Sequence, residues 1–188
     1  ILPSNAQSLD KLYANIDWQF NSPINNSFAE KISGWGMNLE GGYDLSENFS
    51  VGAFLAYHSN HKYIPRETIS LSGNSAINTD QQHTLFQMPF GVSGRYTFNK
   101  GGFFQPYFSM KAGPQYGRMK TVLNASQVTD NTWGFYVSPE IGANIFPWVY
   151  QPGIHIAAYY SYATNKGSVM NYSVDNMSNF GVRVGIAF

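Results

Sequence analysis

Residues 179–188 read NFGVRVGIAF, with Phe180, Val182, Val184, Ile186 and Phe188 on every second position. Asn179, Gly181, Arg183, Gly185 and Ala187 stand between them. A side-chain period of two belongs to an extended strand, whose successive residues face opposite sides. One face here is wholly apolar, and the other is small or polar with a single arginine.

The same alternation recurs along the chain. Residues 12–20 set Leu12, Ala14, Ile16, Trp18 and Phe20 against Tyr13, Asn15, Asp17 and Gln19. Residues 35–44 oppose Trp35, Met37, Leu39 and Tyr43 to Asn38, Glu40 and Asp44, and residues 49–58 oppose Phe49, Val51, Leu55 and Tyr57 to Ser50, Gly52 and His58. Residues 86–98 carry Gln87, Ser93, Arg95 and Thr97 in the polar row, and residues 104–116 carry Tyr107, Ser109, Lys111 and Gln115. In residues 133–145 that row holds Tyr136, Ser138, Glu140 and Asn144, and in residues 154–163 it holds His155, Tyr159 and Ser161. With the opening stretch these segments make eight. Short connections at about 45–48, 99–102 and 146–152 alternate with longer ones at about 22–33, 59–83, 121–130 and 166–178. The pattern predicts an all-β fold, an eight-stranded antiparallel up-and-down barrel over residues 11–188. Residues 1–10 precede it, and residues 1–6, ILPSNA, are either the remnant of an export signal or an ordinary N-terminal segment.

Composition narrows the class. Aromatic residues are 16% of the chain and charged residues 12%, half the charge content of an average soluble domain. The formal net charge is zero, so no basic surface points to nucleic acid. There is no cysteine, which removes disulfides, thiol nucleophiles and cysteine metal sites.

The apolar row could line a soluble barrel or face lipid. Three observations favour lipid. The polar row is dominated by Gly, Ser, Asn, Gln and Ala, far short of the charge a wet surface carries. The apolar row is too bulky for an eight-stranded interior, which has only just enough room for side chains, whereas the polar row supplies small residues and glycines. Aromatics also gather toward both strand ends: Trp18, Trp35, Trp133 and Tyr160 near the long connections, Trp148 and Phe188 near the short ones. Two aromatic girdles flanking an aliphatic belt suit two membrane interfaces. Outer-membrane barrels have short periplasmic turns and long extracellular loops, which places both termini in the periplasm.

The segments YDLSENFSVGAFLAY (43–57), FQMPFGVSGRYTF (86–98) and QPYFSMKAGPQYG (105–117), with GVRVGIAF (181–188), resemble the small outer-membrane β-barrel family that includes OmpA- and OmpX-type barrels. The likeness covers nearly the whole chain. It implies the outer membrane of a Gram-negative-type bacterium, lipopolysaccharide-bearing lipid as surroundings, an interior charge network, and a terminal aromatic read by the barrel-assembly machinery during insertion. The family spans adhesins, complement-evasion proteins and enzymes, so the resemblance specifies fold and location more than activity.

Six charges fall in the polar row, each on a different strand: Asp17, Glu40, Arg95, Lys111, Glu140 and Arg183. They read either as a polar ion path or as an ion-pair network filling a narrow bore. The balance of three acids against three bases favours the filled bore, because enclosed charges must be paired. Arg183 and Asp17 lie on strands that meet on closure, and Arg95 could reach Glu40 or Glu140.

No constellation signals catalysis, metal or cofactor. A rim deacylase of this shape needs a histidine beside its serine, and Ser161 in AYYSYATNKG has none. His155 is placed within the lumen. His58, His61 and His83 flank the longest connection as solvated loop residues, and His58-x-x-His61 on extended chain lacks helical alignment for a metal. The sequence therefore points to a structural or surface-interaction protein acting through its extracellular loops. The alternatives are a lipid-processing enzyme at the rim and an accessory subunit of a larger secretion or assembly complex. In the loops, ETISL (67–71) reads as either a protruding hairpin or a solvated segment; Phe28, Ile32, Val169, Met170 and Tyr172 offer apolar material for packing or a partner. Pro89, Pro106, Pro114 and Pro139 are expected at bulges or strand ends.

Overall fold

The structure is a computed structural model that describes residues 11–24, 28–29, 31–71, 75–123, 126–147, 152–169 and 172–188. The candidate signal remnant (1–6), Met170 and Trp148 lie outside the described residues. Strands β1 (Leu12–Ile24), β2 (Gly36–Asp44), β3 (Phe49–Leu71), β4 (Ser75–Thr97), β5 (Phe104–Leu123), β6 (Ser126–Ile145), β7 (Gly153–Ala163) and β10 (Ser178–Ala187) form the wall. A small hairpin, β8 (Gly167–Val169) and β9 (Tyr172–Val174), precedes the last strand. The ring closes in the order β1-β10-β7-β6-β5-β4-β3-β2, every neighbour antiparallel. Closure gives each wall strand two hydrogen-bonded neighbours, which is what allows a sheet to stand in hydrocarbon.

The opening stretch is the closing strand. Its pairing with β1 runs from Asn15↔Ala187 to Ile24↔Ser178, and Ala14 and Phe188 extend it by exchanging backbone bonds of 3.2 and 2.8 Å. The two side-chain rows separate as their chemistry demands. Leu12, Ile16, Trp18 and Phe20 are exposed on the outer wall, whereas Asn15, Asp17, Gln19 and Asn21 are buried in the bore. At the long-connection end Trp18, Trp35, Trp133 and Tyr160 stand on the outer wall, and Phe188 stands at the other end. Trp18 Nε1 donates to the Gly34 carbonyl at 2.6 Å.

Two of the four long connections are mostly strand. β3 and β4 stay paired out to Leu71↔Ser75, and β5 and β6 out to Leu123↔Ser126. The paired ends of β3 and β4, ETISL included, and of β5 and β6 therefore continue the wall as protruding strand pairs. Their polar composition hides the strands, because a hairpin that projects beyond the apolar belt needs no apolar row on either face. The register slips once between Ile64 and Glu67, beside Pro65, which has no N–H for a ladder bond.

The four wall prolines make no bulge, and of the four only Pro106, third residue of β5, lies near a strand end; Pro89, Pro114 and Pro139 stand within strands, contrary to expectation. Pro89 pairs with Gln115, Pro106 with Ala143 and Pro139 with Met110, and the register is the same on either side of each. An antiparallel residue sends its N–H toward one neighbour only, so a proline costs one rung and leaves the alignment intact. At Pro139 the gap is filled by a side chain: Ser138 Oγ donates to the Tyr160 carbonyl at 2.8 Å. Ser138→Ala is expected to cost about 1 kcal/mol, read as a lowered urea midpoint for the micelle-folded protein.

Beside Pro114 the strands draw together. On Gly91 an added Cβ would sit 2.2 Å from the Ala112 carbonyl oxygen, and on Gly113 one would sit 2.1 Å from that of Phe90. The inward row at this level runs Glu40↔Phe54↔Gly91 on β2–β4, and Gly113↔Tyr136↔Ala163 on β5–β7. The two glycines clear space in the bore, and the rings of Phe54 and Tyr136 meet across it with centroids 5.8 Å apart.

Candidate functional site: the charged lumen

The inward row of a narrow barrel converges on the axis, so residues from distant strands meet there. Arg95 from β4 pairs with Glu40 from β2, Nη2 to Oε1 at 3.0 Å. Lys111 from β5 lies between the two glutamates, 2.7 Å from Glu40 Oε2 and 3.0 Å from Glu140 Oε2. Glu140 on β6 also pairs with Arg183 of β10. The result is an alternating chain across the bore: Arg95, Glu40, Lys111, Glu140, Arg183. All of these side chains are at most 2% exposed.

Rings and amides complete the coordination. The Arg95 guanidinium lies between the rings of Tyr13 and Tyr107, at 4.4 and 4.1 Å, and that of Arg183 lies 4.1 Å from Tyr159. Such contacts strengthen when the cation is desolvated. Tyr13 OH donates to Glu40 Oε1 at 3.0 Å, and Tyr107 OH to Glu140 Oε1 at 2.7 Å. Arg183 Nε donates to Gln19 Oε1 at 3.0 Å.

Asp17 is placed differently from the sequence expectation. It pairs with His155 Nδ1 and accepts from Asn38 Nδ2 at 2.8 Å, and makes no pair with Arg183. Register is the reason: Gly185 stands opposite Asp17, and Arg183 opposite Gln19. Arg183 is thus one inward position farther along the bore and extends across it to Glu140. His155 Nε2 lies 2.5 Å from Tyr107 OH, which ties Asp17 to the main chain of charges. Lys111 joins them because β5 is staggered: Glu140 stands opposite Ser109, and Lys111 opposite Ser138.

Beyond the charges lies a layer of amides. Gln19 bonds His58 at 3.0 Å, Asn21 donates to Asn60 at 2.7 Å, and Gln115 and Asn179 donate to Gln87 at 3.0 and 3.2 Å. Nearer the hairpins the bore turns apolar, with Phe28, Leu85, Met119, Ala163, Val174 and Met177 packed together. Phe28 comes from the first long connection and stacks on His83 at 4.4 Å. His58 and His83 are therefore enclosed, not solvated: extended strands carry them into the bore, while His61, of opposite parity to His58, is exposed. The three histidines do not share one site. Ser161 is also buried, its Oγ 3.4 Å from the Asn179 carbonyl.

The sequence reading did not assign roles to Tyr13, Tyr107, Tyr159 and Gln19. The signal available was size, since these are bulky residues in a row otherwise built from small ones.

With this geometry in place, the chain can be set beside known proteins. Residues 2–188 match the family model described as outer membrane protein beta-barrel domain. No curated protein matches. Solved structures with a similar fold include Neisserial surface protein A, at 13% identity and TM-score 0.49, covering 94% of this chain and 95% of that one. Another is Ail, the attachment invasion locus protein of Yersinia pestis, in complex with the heparin analogue sucrose octasulfate, at 12% identity and TM-score 0.48, covering 95% and 98%. Outer membrane protein W of E. coli has 15% identity and TM-score 0.45, covering 95% and 97%.

Proposed function

The chain belongs to the outer membrane protein beta-barrel domain family, and from that premise we propose that it is a closed-bore membrane scaffold that presents its long hairpins outside the cell. Both ends of β1 and β10 on the short-turn side then face the periplasm, and the β3–β4 and β5–β6 hairpins project outward.

The observation that carries this reading is the double obstruction of the lumen. The alternating chain from Arg95 to Arg183 crosses the bore at one level, and the apolar cluster around Phe28 fills it at another. An ion would have to displace paired charges and then enter a region with few polar partners, each step opposed by desolvation. A lumen built this way stiffens the wall and conducts poorly. It leaves the hairpins as the surface through which the protein acts on its surroundings, with binding, not catalysis, as its activity.

Two measurements test the reading. In planar bilayers the protein should give no stable conductance steps, whereas a variant with a gap opened in each obstruction, Phe28→Ala with Lys111→Ala, should flicker open. Steady steps from the unaltered protein would overturn the closed bore. For orientation, a cysteine introduced at exposed Asn78 should react with a membrane-impermeant maleimide on intact cells, and one at Glu47 only after permeabilisation. The reverse pattern would invert the topology.

A further inference from the structure

We infer that the outer wall of β3–β6 carries a docking site for a phosphate-bearing lipid headgroup, formed by Arg118 and Lys120 just beyond the aromatic girdle, with His61 at its edge. The site rests on the proposed orientation only for the leaflet it would face.

The register fixes the placement. Outward residues Met88, Tyr116 and Trp133 form one row across β4, β5 and β6, and the rings of Tyr116 and Trp133 lie 5.3 Å apart. One step toward the hairpins is the row Ser59↔Phe86↔Arg118↔Asn131, and one step farther His61↔Thr84↔Lys120↔Thr129. Two residues along a strand advance roughly 7 Å, so Arg118 and Lys120 stand directly above the girdle. Their outward parity points them away from the bore.

Arg118 is arranged to receive an anion. Its Nε donates to Tyr116 OH at 3.2 Å and to Asn131 Oδ1 at 3.0 Å, and Tyr116 OH itself donates to Asn131 at 2.8 Å. This anchors the guanidinium against the wall. Among the described residues, its terminal nitrogens and Lys120 Nζ have no hydrogen-bond or ion-pair partner. The free fork of an anchored arginine matches two oxygens of a phosphate, and a lysine beside it adds a point charge. His61 stands two strands away in the Lys120 row, its ring nitrogens already engaged 3.2 Å from Thr84 Oγ1 and 3.4 Å from Ser59 Oγ, and it marks the edge of the site.

Charge sign and location select a lipid over a soluble anion. The outward positions of β1, β2, β7 and β10 carry no charge, so the cationic surface is confined to one side of the barrel. The nearest outward acid on β4, Asp80, is two same-face positions beyond Thr84. Below Arg118 the wall is apolar, with Met88 and Trp133 on either side of Tyr116. A ligand on this patch therefore has its phosphate at the interface and its remaining bulk along the hydrocarbon-facing wall. Basic side chains at this depth reach the headgroup region while their stems stay on apolar surface.

The test uses the full chain refolded in neutral detergent and titrated with diphosphorylated lipid A, with retained lipid counted by native mass spectrometry. Retention by the unaltered protein should exceed that of Arg118→Gln/Lys120→Gln by roughly tenfold or more, the equivalent of losing one to two charge-assisted contacts. Fully dephosphorylated lipid A should bind no better to the unaltered protein than to the double variant. Lys11→Gln/Lys100→Gln, at the opposite rim, should retain lipid normally. Equal retention by the Arg118/Lys120 variant would overturn the site, as would millimolar inorganic phosphate displacing the lipid completely, since the site would then be one for free phosphate. Sidedness does not enter a detergent measurement, so failure here leaves the orientation standing. Inverted maleimide labelling would remove the orientation without touching lipid retention.

Discussion

Glu140→Gln should lower the unfolding free energy of the barrel by about 3–5 kcal/mol, the usual cost of removing one partner from a buried charge cluster. Glu140 accepts from Tyr107 and pairs with both Lys111 and Arg183. A neutral amide of the same shape leaves Arg183 with the Gln19 amide and the Tyr159 ring, and leaves Lys111 dependent on Glu40 alone. Three cations would then surround one carboxylate in a region closed to water. The loss should appear in urea unfolding curves of the protein in micelles. It should change little with added salt, because enclosed pairs are poorly screened. Removing the excess cation as well, in Glu140→Gln/Arg183→Met, should restore part of the loss, with a coupling of about 1–3 kcal/mol. Additive losses in the double variant would show that the two groups do not act as a pair.

Gly113→Ala should prevent the barrel from closing. The added methyl would stand 2.1 Å from the Phe90 carbonyl oxygen and 2.8 Å from Gly91 Cα, and both obstacles are backbone. Overpacking ordinarily costs about 1–3 kcal/mol because side chains shift to relieve it. Backbone in a closed ring cannot shift without breaking neighbouring rungs, so the cost here should exceed that range. Gly91→Ala meets the Ala112 carbonyl at 2.2 Å and should behave likewise. Gly94→Ala is the control: its nearest neighbour beyond the adjacent residues would be the Phe49 ring at 3.8 Å, ordinary contact on the outer wall. Heat-modifiable migration after refolding should show a folded band for Gly94→Ala and little or none for the other two. A normal folded fraction for Gly113→Ala would mean that the close approach of β4 and β5 is not required.

The two rows of the wall were legible because lipid and lumen impose opposite demands on alternate residues. Every strand carrying a lumen charge follows that rule, and the inward parity of Asp17, Glu40, Arg95, Lys111, Glu140 and Arg183 could be read one strand at a time. The partners could not. Arg183 and Asp17 look matched because their strands meet on closure, yet the register sets Arg183 beside Gln19 and sends it across the bore. ETISL stayed open between a protruding hairpin and a solvated segment for a related reason: without a lipid face, it and its neighbours show no sustained alternation. The prolines misled because a missing N–H was counted as a broken strand, when it removes a single rung and Ser138 supplies a substitute.

The period of two in NFGVRVGIAF and its seven companions, with the connection lengths, the sparse charge and the aromatic bands, determined that this chain is an antiparallel barrel with an apolar exterior, because parity and composition are local properties that each strand carries alone. Strand stagger, the meeting of Phe54 and Tyr136 over two glycines, the route from Arg95 to Arg183 and the anchoring of Arg118 by Asn131 were decided only in the closed ring. They join residues far apart in the chain, and their distances depend on shear and curvature summed around all eight strands, which no single segment encodes.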